Sequence, residues 1–179
     1  MGRRRSARSG RASLLARYDR HRRANLLAAP GRHDLIIVLD HLKAGFNVAK
    51  IFRSAEVFGV REVHLVGIGP FDPAPAKGGF KAVPAYSYES MEESLKSLTD
   101  AGYHCFRLTP SATVQLPGAV LPRRCALVFG HEEHGFSFDP EAHPGVHAIG
   151  IRQFGRIDSL NVSVAASVAM YEYARQHAV

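Results

Sequence analysis

Cysteine is scarce: two in 179 residues, too few for a disulfide framework. Cys105 and Cys125 each sit inside an apolar run, the setting of small core residues rather than of metal ligands or a bridge. No stretch approaches the roughly 20 apolar residues of a membrane span. Nothing near Met1 has the apolar core of a signal peptide. Dinucleotide chemistry has no fingerprint either. The glycine-containing turn Gly67–Pro73 lacks a third glycine and runs into proline-rich loop instead of a helix. There is no P-loop and no nucleophile elbow. His131 and His134 bracket two glutamates, but they stand three apart, whereas a helical zinc pair stands four apart. No metal is expected.

Acid is also missing, but only at one end. Residues 1–33 hold ten arginines, no lysine and a single acid, Asp19, for a net +9. Residues 34–179 hold 13 basic and 15 acidic side chains, for −2. The overall +7 is therefore an arm on a slightly acidic body. The division expected is 1–33 as a basic, partly helical arm and 34–179 as one folded domain. Such an arm attracts polyanions through counterion release, nucleic acid first. The plainer reading is a solubilising extension. An arginine-rich start containing serine also marks mitochondrial transit peptides; a cytoplasmic location is the expectation. The body is compositionally ordinary, at 46% hydrophobic and 22% charged for the chain.

The body alternates strands and helices. Ala12 to Ala28 reads as a basic helix closed by Pro30 and Gly31. Asp34 to Asp40 reads as a buried strand. Asn47 to Phe58 carries apolar residues at helical spacing and ends at Gly59. Strands follow at Glu62–Gly67, His104–Leu108, Cys125–Gly130 and Val146–Ile151. Gly67 to Ala85 reads as loop, Ser90 to Ala101 as an amphipathic helix, and Leu160 to Gln176 as the last helix. This order predicts an α/β fold with a mainly parallel sheet and helices on both faces.

Three segments concentrate polar residues where such a fold places ligands. In Phe46–Val60, Asn47 stands where it could cap the helix, and Arg53 projects away from the apolar stripe. It is either solvated, the default for arginine, or facing an anion. In Ala126–Ser137 an apolar strand runs into Gly130, a polar cluster and Gly135. Ligands of parallel sheets bind beyond the carboxyl ends of strands, although a plain turn would look the same. In Ile149–Ala174 a strand leads into Ser159, Asn161 and Ser163, with Asp158 or Ser159 as the expected N-cap.

In this order the three segments resemble the three motifs of the SpoU family, also called the TrmH family: RNA ribose 2′-O-methyltransferases of the SPOUT class. Asn47, Arg53, Ser54 and Ala55 match the first motif. Gly130, Glu132 and Gly135 match the second, and Ser159 to Ala165 the third. The match covers roughly Leu35 to Arg175. The resemblance implies a C-terminal deep trefoil knot, S-adenosylmethionine as cofactor and a homodimer with the active site near its interface. It implies cofactor contacts at Phe129, Gly130, His131, Glu132, Ile149, Ile151, Ser159 and Leu160. It implies Asn47, Arg53, Glu132, Ser159 and Asn161 as catalytic. An arginine, with a pKa above roughly 12, is a poor base, so Arg53 is expected to stabilise phosphate and alkoxide. RNA is the expected partner, tRNA before rRNA, docked by Arg3, Arg4, Arg5, Arg8, Arg11 and Arg53. A knotted RNA binder without methyl transfer is the alternative. The chain departs from the family at His131 and in the bulky, basic approach Arg152–Asp158, where the family carries a glycine-rich lead.

Overall fold

The structure is a computed structural model that describes residues 2–157 and 159–178, with residues 2–9 described by their backbone alone. Six parallel strands form one sheet in the order β3-β2-β1-β5-β4-β6. They are β1 (His33–Asp40), β2 (Val60–Val66), β3 (Ala85–Tyr88), β4 (His104–Leu108), β5 (Cys125–Phe129) and β6 (Val146–Ile149). The helices are α1 (Gly2–Asn25), α2 (Phe46–Val57), α3 (Gly79–Ala82), α4 (Met91–Asp100) and α5 (Val162–Gln176).

β1 lies between β2 and β5, and its apolar run serves both faces. Leu35, Ile37 and Leu39 face the layer of α2 and α5, whereas Ile36 and Val38 face the layer of α4. Cys125 joins the first core and Cys105 the second, so the two thiols lie on opposite faces of the sheet. Both are free and buried, as expected, and burial pushes the Cys105 thiol up to about 11. Neither is a nucleophile near neutral pH.

α2 buries the expected stripe, Val48, Ile51, Phe52 and Ala55. Gly59 follows it at φ +62°, a conformation natural to glycine, and its N–H donates to Glu56 O at 3.1 Å. Within the expected loop Gly67–Ala85 the chain forms a 3₁₀ turn at Ala74–Ala76 and then α3, and it enters β3 at Ala85. β3 has four residues at the sheet edge, too short for an alternating pattern to register in the sequence.

The basic helix begins earlier than its apolar residues indicate and ends sooner, at Asn25. Its C-terminal part is seated on the body. Tyr18 stacks on Phe80, centroids 5.4 Å apart, and Arg17 pairs with Asp72 at 3.0 Å. Asn25 is only 2% exposed. Its Nδ2 donates to Phe80 O and Val83 O at 2.8 and 2.6 Å, and its Oδ1 accepts from Ala85 N at 3.2 Å. A buried amide left without these partners would cost about 1–3 kcal/mol, so this junction pins the helix to α3 and β3.

Candidate active site

The site lies beyond the carboxyl ends of β4, β5 and β6. The turn after β5 is held closed from within. His131 N donates to Gly135 O at 2.7 Å and Gly135 N returns to His131 O at 2.9 Å. A Cβ on Gly130 would stand 2.7 Å from the Gly135 carbonyl, so the turn closes only with glycine there. Gly135 itself sits at φ +72°. The last residue of β1 anchors the turn from below. Asp40 is fully buried, and its carboxylate accepts from Ser137 N at 2.7 Å and Ser137 Oγ at 2.6 Å.

His131 Nδ1 accepts from Glu133 N and His134 N at 3.0 and 3.3 Å. Its ring stacks on His134 with centroids 4.5 Å apart. His131, Glu133 and His134 bring three donor atoms within 4.8 Å of one another, a grouping the sequence spacing argued against. With its Nδ1 lone pair taken by these two N–H groups and the ring proton on Nε2, the His131 ring has no lone pair left for a metal. Glu133 is also engaged with Lys43 at 2.6 Å, and that hydrogen bond holds its carboxyl below the usual range.

Asn47 does not cap α2. The helix starts at Phe46 with Gly45 as N-cap, which places Asn47 inside the first turn. Its side chain turns outward and links the second and third motifs. Nδ2 donates to Glu132 Oε1 at 2.8 Å, and Oδ1 accepts from Asn161 Nδ2 at 3.1 Å. Asn161, not Ser159, caps α5: its Oδ1 accepts from Ser163 N at 2.9 Å and Ser163 Oγ at 2.6 Å. Asp158, the other expected cap, lies outside the described residues. One amide thus does two jobs, ending a helix and tying it to α2. A second tie runs between the same helices. Ser167 Oγ donates to Ser163 O, so Ser54 Oγ must be the donor in its 2.7 Å bond to Ser167.

A cleft of about 270 Å³ opens beside this chain of bonds. Of the eight expected cofactor residues, Phe129, Gly130, His131, Glu132, Ile151, Ser159 and Leu160 line it. Ile149 does not: its side chain is buried in the core, and its carbonyl accepts from Thr109 N at 3.0 Å. Leu108, Thr109 and Pro110 also line the cleft and were missed. They follow β4, so the strand-end rule that picked out Gly130 could have found them. The apolar walls suit a flat heteroaromatic ring, and Glu132, Gln153 and Ser159 supply polar groups at positions along them.

Arg53 is exposed, does not line this cleft and has no hydrogen-bond or ion-pair partner among the described residues. Arg11 is exposed too. Arg3, Arg4, Arg5 and Arg8 fall where only the backbone is described.

The sequence model of the SpoU rRNA methylase family matches residues 34–171. A 23S rRNA (guanosine-2′-O-)-methyltransferase, RlmB of Xylella fastidiosa, is 30% identical over 94% of this chain and 69% of its own length. A tRNA (guanosine(18)-2′-O)-methyltransferase of Thermus thermophilus is 28% identical over 88% of this chain and 82% of its own. A solved RNA 2′-O ribose methyltransferase superposes with a TM-score of 0.73 at 26% identity, over 84% of this chain and 59% of that one. The family match takes in most of the chain and the three motifs within the site segments, and with it the chain belongs to the SpoU rRNA methylase family.

Proposed function

We propose that this protein transfers a methyl group from S-adenosylmethionine to a ribose 2′-oxygen of structured RNA, tRNA before rRNA. The observation that carries the reading is the continuous link Glu132–Asn47–Asn161, whose first member lines the cleft. The names of the relatives support the reaction, and the cleft supports the cofactor. Its volume approaches the lower end of small-molecule sites, roughly 300 Å³, and its walls match an adenosyl group with a polar tail. Bound there, S-adenosylmethionine supplies an electrophilic methyl group.

The chain's own residues provide position and charge. Phe129, Leu160 and Ile151 enclose the apolar part of the ligand and exclude water. Glu132, oriented by Asn47, presents a carboxylate at the cleft, where a positively charged ligand is favoured. Holding methyl donor and hydroxyl in line is mainly an orientation effect. Arg53 is assigned to the phosphate and the developing alkoxide, with proton loss to solvent or a neighbouring group. Its planar fork and open position suit an incoming phosphodiester.

A homodimer is part of the proposal. Val164, Val168 and Tyr171 recur at helical spacing on the exposed face of α5, and Val57 on the adjoining α2 is exposed as well. The trefoil knot implied by the family is part of the proposal too, and α5 is hydrogen-bonded to the segment joining β4 to β5. Leu121 N donates to Gln176 Oε1 at 3.0 Å, and Gln176 Nε2 donates to Ala119 O at 2.9 Å. RNA capture is assigned to the arm, whose ten arginines against one acid attract a polyanion. No helix among the described residues is long and apolar enough to cross a membrane; cytoplasmic RNA is the proposed substrate pool.

The test is methylation of total RNA with labelled S-adenosylmethionine, followed by nuclease digestion and mass spectrometry. A 2′-O-methyl nucleotide is the expected product. Its absence from both tRNA and rRNA refutes the assignment.

A further inference from the structure

The segment between β6 and α5 carries an aromatic side chain that the fold leaves unused. Phe154 is 91% exposed, the most exposed large hydrophobic residue among those described. Arg152 and Arg156 stand two positions to either side, both exposed and without an ion-pair partner among the described residues. Asp158 follows in sequence and lies outside the described residues. The location is fixed by neighbours: Ile151 and Gln153 line the cleft. A second depression, of about 340 Å³, shares Pro110, Ile151 and Gln153 with it and is completed by Gln115, Arg152 and Ile157. A Cβ on Gly155 would meet nothing within 4 Å among the described residues.

We propose that Phe154, flanked by Arg152 and Arg156, is a nucleobase-stacking platform that seats the RNA beside the cleft. This rests on the function proposed above. An aromatic face accepts any base, and flanking guanidinium groups hold the phosphates on either side. An exposed ring between two exposed cations favours a polyanion bearing aromatic bases over a protein surface. A second copy of the chain would bring the same two arginines against each other across a two-fold contact, which like charge opposes.

The experiment measures dissociation constants of the full chain for an unfractionated tRNA pool over a salt series. Calorimetry with S-adenosylmethionine and sedimentation run alongside. Phe154→Ala should weaken RNA binding about tenfold, within the range for loss of one stacked base, with the salt slope unchanged. Phe154→Trp should restore it. The double variant Arg152→Ala/Arg156→Ala should flatten the slope by about 1.5 in log–log terms. Cofactor affinity and oligomeric state should stay as in the wild type. Wild-type RNA affinity in Phe154→Ala overturns the platform. So does a change of oligomeric state, which would make the ring a contact for a second copy. If Phe154→Ala weakens RNA binding while the wild type transfers no methyl group, the platform stands and the enzymatic reading falls. If methyl transfer occurs and the variant binds normally, only the platform falls. A wild type that binds no RNA overturns both.

Discussion

Asn161 Nδ2 donates to Asn47 Oδ1 at 3.1 Å, across 114 positions of sequence. The same Asn161 side chain caps α5 through its oxygen. Cap and cross-link can therefore be separated by substitution. Asn161→Ala loses both, and stability should fall by about 1 kcal/mol, as for a lost N-cap. Asn161→Asp keeps an oxygen for Ser163 N but has no N–H for Asn47. Its denaturation midpoint should stay near wild type while methyl transfer drops about tenfold, the upper end for one hydrogen bond. Full activity in Asn161→Asp would remove the link from the mechanism.

Arg53 is exposed and touches no partner among the described residues, so its replacement should leave the fold alone. Arg53→Lys preserves charge and loses the planar fork. Most of the methyl-transfer rate should disappear, with an unchanged melting temperature and unchanged cofactor affinity. Near wild-type turnover would show that a point charge suffices.

The Asp40 carboxylate, fully buried, organises the turn through Ser137. Ser137→Ala removes the hydroxyl donor and should cost about 2 kcal/mol, typical for a hydrogen bond to a charged group. Asp40→Asn should cost more, because it exchanges a charged acceptor shared by Ser137 N, Ser137 Oγ and the His41 ring for a neutral amide. Both should weaken cofactor binding, since the turn they hold lines the cleft. Denaturant midpoints and calorimetry read the two effects separately.

Truncation of the arm has two regimes. Removing residues 1–10 takes away four arginines and keeps Arg17, Tyr18 and Asn25, which seat the helix on the body. RNA binding should weaken, and its log–log salt slope should fall by about 3. Stability should hold. Removing residues 1–31 also deletes Tyr18 and Asn25, and the body should lose several kcal/mol as the Phe80 ring and three backbone groups are uncovered. An unchanged salt slope in the shorter truncation would clear the arm of a role in RNA capture.

Mild acid should destabilise the protein through two histidines. Burial, then Lys81, Arg20 and Arg17, lowers the pKa of His21. Burial, then Arg32 and His177, lowers that of His33. The folded state thus binds protons less readily than the unfolded chain, where histidine titrates near ~6.5. The stabilisation is present above that pH and is lost as pH falls below it. Denaturation at pH 7.5 and 5.5 should show the loss, and a His21→Gln/His33→Gln variant should show a shallower one. Equal stability at both values contradicts the assignment.

Much of the site was legible because its residues are grouped in sequence. Gly130 and Glu132 follow an apolar strand directly, and seven of the eight expected cofactor residues line one cleft. Ile149 is buried in the core at the end of β6, and Ile151, two positions on and beyond the strand, reaches the cleft instead. Asn47, and Asp158 or Ser159, were expected as caps because cap preferences are local. The structure gives those roles to Gly45 and Asn161, freeing Asn47 for a contact no local rule could anticipate.

Sequence by itself determined the parallel α/β class, the uneven charge and the three motifs, since each depends on residues near one another in the chain. Tertiary structure decided which partners meet: Asn47 with Glu132 and Asn161, Asp40 with Ser137, Asn25 with the backbone around β3. Those choices depend on strand order. β1 and β5 are adjacent in the sheet though far apart in sequence, so their carboxyl ends converge and bring distant side chains within hydrogen-bonding reach. The arm changed most. Composition marks it as a uniform run of charge, whereas packing fixes its last turns to the body.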